Sequence, residues 1–410
     1  MYCHIIILLS FVFYLYGNIG RVALGIPNGA LLGLLIGYSS FIIAMYKQIW
    51  TRIERQALWI IAGAVLLLVL RYVADAEDKL IRNVSILVLP ALLISVFPTG
   101  QVPSRSALDV RLMTARFLLC FYVVECGTAI LEFIMKDHVF GWFEYTYTKG
   151  IRTYAGDGNF RSVALMGGPL ENALGVTVMM LFYLFSQRLP VKKKLLLWLL
   201  GLVAVFCFNA RAAIVVNLLS MVLYIATEIF KRRSDTNLKY IVVLLAVCSA
   251  VGILYLYGLG ERLWETGNLG KDASIETRLK LFRYMAGRDW ADYLWGSSLT
   301  QLRHEMATSI KVKIIENFWL SYVFRIGLIA TAYFTVLYFC MCRSLLRTYP
   351  MSDKIVISAM FIILAFSNNS LDSNFVPLFI FMLCSYTYRP VLLGIEDVYL
   401  FIRRNKNKFE

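Results

Sequence analysis

The sequence predicts an all-α polytopic membrane protein with about 12 transmembrane helices and a large external loop subdomain. Of its 410 residues, 59% are hydrophobic and 16% are charged, whereas soluble domains are roughly 45–50% apolar and about 25% charged. The mean hydropathy is +0.67. Apolar runs long enough to cross about 30 Å of hydrocarbon recur along the whole chain. These observations predict one transmembrane domain over residues 1–410.

Most of the predicted spans follow one another with short connections.

The N-terminus lacks a basic region and a small-residue cleavage site, so the first span is expected to be a retained helix rather than a signal peptide. The expected spans cover residues 3–18, 28–46, 57–74, 83–98, 112–134, 169–186, 195–209, 211–230, 240–258, 316–341, 354–369 and 374–389.

Alternate connections between these spans carry most of the loop arginines and lysines. Short loops rich in such residues stay in the cytoplasm, so both termini are expected to be cytoplasmic. Two longer loops, residues 135–168 and residues 259–315, then fall on the external side, and the second forms the loop subdomain. The same placement explains the formal net charge of +15 without nucleic acid as a partner, because the charges follow membrane orientation.

Signatures of several other classes of protein are absent from the sequence. There is no Walker A loop, so an ATP-driven pump is not expected. The eight cysteines have no zinc-like spacing with histidines. No zinc-protease pattern, Ser-His-Asp spacing or aspartate pair for Mg²⁺ is evident. We therefore expect neither a metal nor a cofactor.

Arg211 is a cation inside the apolar run of residues 195–230. A charge within hydrocarbon costs at least about 2.5 kcal/mol, so such residues tend to be functional. The span before it has about fifteen residues and covers about 22 Å, which is less than the hydrocarbon thickness. Arg211 is therefore expected at a tight turn on the external side, where its forked donors suit phosphate. An arginine that reaches the lipid headgroups is the alternative.

Arg161 opens a second candidate stretch, RSVALMGGPLENALG, which spans residues 161–175. Pro169 suits a first helical turn, and Glu171 suits the positive end of the helix dipole. The alternative is that these residues only mark the start of a helix. That alternative does not explain why Arg152 and Arg161 flank the external turn YAGDGNF.

Further candidates lie in the large external loop and at the start of the next span. Arg278 belongs to a basic stretch that is also consistent with a solvated helix face. His304 is one of three histidines. Glu316 and Asn317 open the span in which Arg325 lies deeper, and a capping role for this pair is as plausible as a catalytic one.

The chemistry of these residues indicates a class of substrate. An external face rich in arginine suits a lipid-linked diphosphate, because arginines can hold the diphosphate and stabilise it as a leaving group. A carboxylate or a histidine would accept the proton of an attacking sugar hydroxyl. Glu125 and Glu132 lie on one face of a predicted span, where they would partner buried arginines or line a polar seam.

Four stretches of the chain resemble motifs of the bacterial O-antigen polymerase and O-antigen ligase superfamily. They are residues 161–175, FNARAAIVV at 208–216, SIETRLKLFRYMAGRDWADYLWGSSL at 274–299, and ENFWLSYVFRIGLIA at 316–330. The chain departs from the family pattern at Glu171, which precedes Asn172, and in a Gly-x-Gly element of which Gly296 is retained. It also carries Glu316 where ligases usually have histidine, and this favours a polymerase of repeat units.

The resemblance implies an inverting, metal-independent glycosyl transfer between undecaprenyl-diphosphate-linked oligosaccharides. This reaction occurs on the periplasmic face of the bacterial inner membrane. Transfer of the glycan to lipid A core by a ligase is one alternative. A flippase for the same lipid-linked sugars is another, although its usual internal repeats are not seen. The expected partners are the lipid-linked substrates, the bilayer, a flippase and a regulator of chain length.

The resemblance also implies a role for each candidate residue. Arg161 and Arg211 would bind the donor diphosphate, and Arg278 and Arg325 are further candidates for the same role. Glu316 or His304 would act on the acceptor hydroxyl.

Overall fold

The structure is a computed structural model that describes residues 105–139, 160–166, 168–186, 189–231, 273–312, 317–367 and 376–388, with isolated positions elsewhere. Within these residues every regular element is a helix. In chain order the helices are α1 (Arg105–Met135), α2 (Pro169–Phe185), α3 (Val191–Cys207), α4 (Arg211–Lys231), α5 (Ala273–Ala286), α6 (Trp290–Trp295), α7 (Leu299–Ser309), α8 (Phe318–Leu345), α9 (Met351–Ser367) and α10 (Val376–Thr387).

Helices α1–α4 and α8–α10 occupy positions that the sequence predicts as membrane spans. Two segments, Leu112–Met135 in α1 and Arg211–Ile229 in α4, are long and apolar enough to cross a membrane. The remaining predicted spans and both termini lie outside the described residues. The helical fold class is confirmed for the part of the chain that is described, while the number of spans and their orientation stay predictions.

Helix α3 begins earlier than the sequence predicts. It starts at Val191, so three lysines that were expected in a loop lie in its first turn. Lys194 is buried, and its ammonium lies 5.1 Å from the centre of the Tyr224 ring. The aliphatic part of a lysine packs on apolar surface while the charge interacts with an aromatic face. The helix is therefore 17 residues long and still shorter than about 30 Å of hydrocarbon.

Helix α2 is the central helix of the described bundle. Every residue from Asn172 to Phe185 is buried. The helix packs against α1, α3, α4, α9 and α10. A helix that is apolar on all sides is typical of the interior of a bundle, so α2 forms the axis around which the other helices pack.

Four helix termini meet at one end of this bundle. Ser162, between α1 and α2, donates from its Oγ to the Ala129 carbonyl oxygen at 2.7 Å. Its backbone N–H donates to the Cys207 carbonyl oxygen at 3.1 Å. The ends of α1 and α3 and the starts of α2 and α4 therefore lie together. We name this region the arginine end, because Arg161 and Arg211 both belong to it.

Helices α5–α8 form a second apolar cluster. Helices α6 and α7 pack on α8, and α5–α7 lie within the predicted external loop subdomain. Gly327 interrupts α8 with φ 82° and ψ 165°, so the helix consists of two segments. The buried residues of this cluster are Leu281, Leu302, Met306, Val312, Ile315 and Phe324.

Candidate functional site

A short buried loop enters α2 at the arginine end. All of its residues, 160–166, are buried although they form no helix. Backbone polar groups that leave water need hydrogen-bond partners. Side chains from the neighbouring helices supply these partners, so the loop is fixed in place before it reaches α2.

Two carboxylates of α1 hold the loop backbone. Glu132 Oε2 accepts hydrogen bonds from the backbone N–H groups of Val163 at 2.7 Å and Ala164 at 2.9 Å. Glu125 Oε2 accepts from the N–H of Leu165 at 3.2 Å. Hydrogen bonds are stronger where the surroundings exclude water. The polar seam predicted for these two carboxylates is therefore occupied by the loop backbone.

Asn172 joins the other side of the loop to α2. Its Oδ1 accepts a hydrogen bond from the backbone N–H of Met166 at 3.1 Å, and its Nδ2 donates to the carbonyl oxygen of Val163. The side chain is fully buried. An amide that both accepts and donates in this way closes the loop onto the first turns of the central helix.

Arg161 connects the loop to the turn between α3 and α4. Its Nε donates a hydrogen bond to the Phe208 carbonyl oxygen at 3.0 Å, and its side chain is buried. Asn209 continues this turn with a positive φ of 52°, and α4 then begins at the half-buried Arg211. The structure confirms that Arg211 follows a tight turn, and it places Arg161 against the same turn.

The arginine end brings Arg161 and Arg211 together with the starts of two helices. Helices α2 and α4 both begin there and run side by side, and Asn217 Nδ2 donates to Thr177 Oγ1 at 2.8 Å. Each helix contributes a partial positive charge at its N-terminus. Arg211 opens α4, whose first turn holds no acidic residue. A cation at that position is unfavourable for an isolated helix, so this arrangement favours an anion nearby.

Glu171 is the acidic residue in the first turn of α2. It is half-buried, its carboxylate interacts electrostatically with Arg161, and it folds back over Gly168. A Cβ at Gly168 would collide with the Glu171 carboxylate. A larger residue before Pro169 would therefore make this carboxylate shift.

In the second cluster, a turn after α6 packs on the kink of α8. The Ser297 N–H donates to the Phe324 carbonyl oxygen at 2.8 Å. Gly296 has φ 79° and Gly327 has φ 82°, and a Cβ on either one would collide with the backbone of the other segment. The buried Arg325 lies between Phe324 and Gly327. The two glycines of the predicted motifs thus form one backbone contact.

Arg288 is a buried cation of this second cluster that the sequence did not single out as a site residue. Its side chain is 6% exposed and its Nη2 lies 3.3 Å from Asp292 Oδ2 and 3.8 Å from Glu305 Oε2. The guanidinium centre lies 5.3 Å from the Tyr284 ring centre. The i,i+4 spacing of Arg288 and Asp292 is the feature of the sequence that could have drawn attention to Arg288. Arg288 thus contacts residues of α5, α6 and α7.

The predicted site residues divide between the two clusters. Arg161 and Arg211 lie together at the arginine end. Arg278 lies on α5, and Arg325 lies on α8. His304 is exposed on α7.

Among the remaining predictions, Glu316 lies outside the described residues, and its catalytic role stays a prediction. Asn317 is described and confirms the capping alternative for its own side chain. Its Oδ1 accepts a hydrogen bond from the backbone N–H of Leu320 at 3.1 Å, which is the usual contact of a residue at a helix start.

Comparison with known proteins yields no relative from which a function could be transferred. No protein-family model matches the chain, no curated protein matches it, and no solved structure matches it.

Proposed function

We propose that this protein is a polymerase of polysaccharide repeat units. It transfers an undecaprenyl-diphosphate-linked glycan onto another lipid-linked repeat unit by inverting, metal-independent glycosyl transfer. The observation that carries this proposal is the joint position of two arginines at one end of the bundle. Arg161 donates to Phe208, within the turn that immediately precedes Arg211.

The arginine end suits the diphosphate of the donor. Its two arginines and the start of α4 favour a group with several negative charges, while Glu171 covers the start of α2. A diphosphate gains negative charge as it leaves the sugar, so fixed cations stabilise the transition state more than the ground state. The buried loop and its carboxylate contacts keep Arg161 in position before substrate binds.

The proposed reaction breaks the bond between the anomeric carbon and the diphosphate oxygen of the donor. The hydroxyl oxygen of the acceptor sugar forms a new bond to the same carbon from the opposite face. The electron pair leaves with the lipid diphosphate, and the hydroxyl proton passes to a base. The resemblance of four sequence stretches to the O-antigen polymerase and ligase superfamily supports this class of reaction.

Replacement of Arg211 in a host strain tests the proposal. A strain without its own copy of the gene is complemented with the wild-type protein or with Arg211→Ala, and the polymer is resolved by length on a gel. We expect the wild type to restore long polymer and the variant to leave single repeat units attached to carrier or core. Full-length polymer from Arg211→Ala at normal expression would contradict the role of this arginine.

The same strain distinguishes a polymerase from a ligase. A host that lacks a polymerase still attaches single repeat units to its carrier or core, whereas a host that lacks a ligase attaches none. Loss of all attachment in the deletion strain would therefore show that the protein is a ligase and not a polymerase.

A further inference from the structure

His138 lies just beyond the end of α1, next to the loop that carries Arg161. Its side chain is 6% exposed. Its ring stacks on Phe160, with the ring centres 5.2 Å apart and an interplanar angle of 30°. Phe160 is the residue immediately before Arg161. The stacking therefore places an imidazole beside the arginine end.

One ring nitrogen of His138 faces a fixed carboxylate. The Nδ1 atom is buried and has no hydrogen-bond partner among the described residues. It lies 3.7 Å from Glu132 Oε2. Glu132 also receives the N–H of Val139 at 3.3 Å on its other oxygen, and it holds the loop backbone. The carboxylate is thus fixed on both oxygens, and a small movement of the imidazole would complete a hydrogen bond.

The surroundings of this pair include both signs of charge. The ammonium of Lys136 lies 3.5 Å from the centre of the Phe133 ring and 5.8 Å from that of Phe160. The backbone N–H of His138 donates to Asp137 Oδ1 at 2.8 Å. These contacts fix the chain on both sides of the imidazole, so its orientation is set by packing as well as by Glu132.

We infer that His138 is the base of the proposed glycosyl transfer and that Glu132 positions it. This inference rests on the proposed function. The two nitrogens of an imidazole point in different directions. With Nδ1 toward Glu132, Nε2 accepts the proton of the acceptor hydroxyl as its oxygen bonds to the anomeric carbon. The lipid diphosphate leaves with the electron pair beside Arg161, and the resulting imidazolium is stabilised by the Glu132 carboxylate.

The arrangement follows the general pattern of an activated base. A base that takes a proton in the transition state is held by a third group on its far side. Such hydrogen bonds are often long before substrate binds and shorten in the reactive complex. Histidine also exchanges protons near neutral pH, as a general base must do.

The experiment measures the initial rate of polymer elongation by the full-length protein in proteoliposomes. The probe is the radiolabelled lipid-linked repeat unit extracted from the host, and the rate is measured from about pH 5 to about pH 9. We expect His138→Gln to lower the rate at least about 100-fold. We expect imidazole in the buffer to restore part of the rate of His138→Ala, which a merely structural histidine would not show.

Substitution of the carboxylates separates positioning from support of the loop. Glu132→Gln should move the acidic limb of the pH–rate profile to lower pH, because the imidazolium loses its neighbouring charge. Glu125→Gln is the matched control, because Glu125 holds the same loop from the same helix face. It should leave the position of that limb unchanged, whatever it does to the overall rate.

The outcomes distinguish the inference from the proposed function. If the wild type elongates glycan and His138→Gln does so at the same rate, the inference is wrong and the polymerase stands. If His138→Gln is inactive but imidazole restores nothing to His138→Ala, the base role is also overturned. If the wild type elongates nothing under conditions in which it is folded, the proposed function fails, and the inference fails with it.

Discussion

Arg161 donates a hydrogen bond from Nε to the carbonyl oxygen of Phe208 at 3.0 Å, and this contact joins the loop before α2 to the turn before α4. Two segments that are distant in the chain are thus held by one guanidinium. A lysine would keep the charge. Its single ammonium group cannot both donate to the Phe208 carbonyl oxygen and present two forked donors to a phosphate. The contact therefore serves both the packing of the bundle and the proposed binding of diphosphate.

Arg161→Lys should destabilise the protein by about 1–3 kcal/mol, since a hydrogen bond from a charged group is lost. The measurement is thermal unfolding of the purified protein in detergent. Arg116→Lys is a suitable control, because Arg116 is exposed on α1. Equal unfolding temperatures for the two variants would show that the Phe208 contact contributes nothing.

Asn172→Ala should be strongly destabilising. It leaves the Met166 N–H and the Val163 carbonyl without their partner, and each buried group left unsatisfied costs about 1–3 kcal/mol. Asn172→Asp keeps an acceptor for Met166 but places a buried acidic oxygen against the Val163 carbonyl, so it should be at least as destabilising as the alanine variant. Denaturant unfolding orders the three proteins, and a neutral Asn172→Ala would contradict the described loop contacts.

Gly327→Ala should disrupt the second cluster. Its φ of 82° is a conformation that residues with a Cβ rarely adopt, and a Cβ there would collide with the backbone of Leu294 and Trp295. We expect a cost of more than about 1 kcal/mol, from strain together with displacement of α6.

Gly127→Ala is the matched control for Gly327→Ala. Gly127 lies within α1, and a Cβ there would contact nothing within 4 Å. Replacement of a helical glycine by alanine should stabilise the protein by roughly 0.5–1 kcal/mol. Thermal unfolding of both variants tests this comparison. If Gly127→Ala lost more stability than Gly327→Ala, the explanation given for Gly327 would be wrong.

Tyr284 and Glu305 form a contact that depends on pH. The Tyr284 hydroxyl donates to Glu305 Oε2 at 2.7 Å, and this hydrogen bond is the main reason why the pKa of Glu305 lies below the usual 4.5. A carboxyl group whose pKa is lowered by folding stabilises the fold above its ordinary pKa. That stabilisation is lost as the pH falls through the lowered value.

Tyr284→Phe should therefore lower the unfolding temperature at about pH 7 and have less effect at about pH 3. Tyr293→Phe provides the comparison, because the Tyr293 hydroxyl donates to the backbone carbonyl of Met285, which does not titrate. Its effect should be similar at both pH values. An effect of Tyr284→Phe that does not change with pH would show that Glu305 is not its relevant partner.

Hydrophobic patterning was sufficient to locate α1–α4 and α8–α10 but not their exact boundaries. The lysines before α3 were expected in a loop, because charge counts do not reveal that Lys194 can extend its stem along apolar surface to Tyr224. The break in α8 was also not predicted. It follows from a tertiary contact between Gly296 and Gly327 that no local pattern shows.

The candidate site could be predicted only in part, because some of its contacts are also tertiary and leave no local pattern in the sequence. Arg211 stands out because the residues around it are apolar, and Arg161 stands out because it precedes a helix start. The spacing of Glu125 and Glu132 correctly predicted a common helix face. What they contact could not be predicted, since the loop backbone carries no signal of its own in the sequence. His138 gives no local signal either, because its relation to Glu132 depends on how the chain turns after α1.

The carboxylate contacts of residues 160–166 determine which part of the site can move. Withdrawal of this segment would break three hydrogen bonds to Glu125 and Glu132, and each buried polar group left without a partner costs about 1–3 kcal/mol. Residues 160–166 are therefore a rigid floor of the arginine end and not a gate.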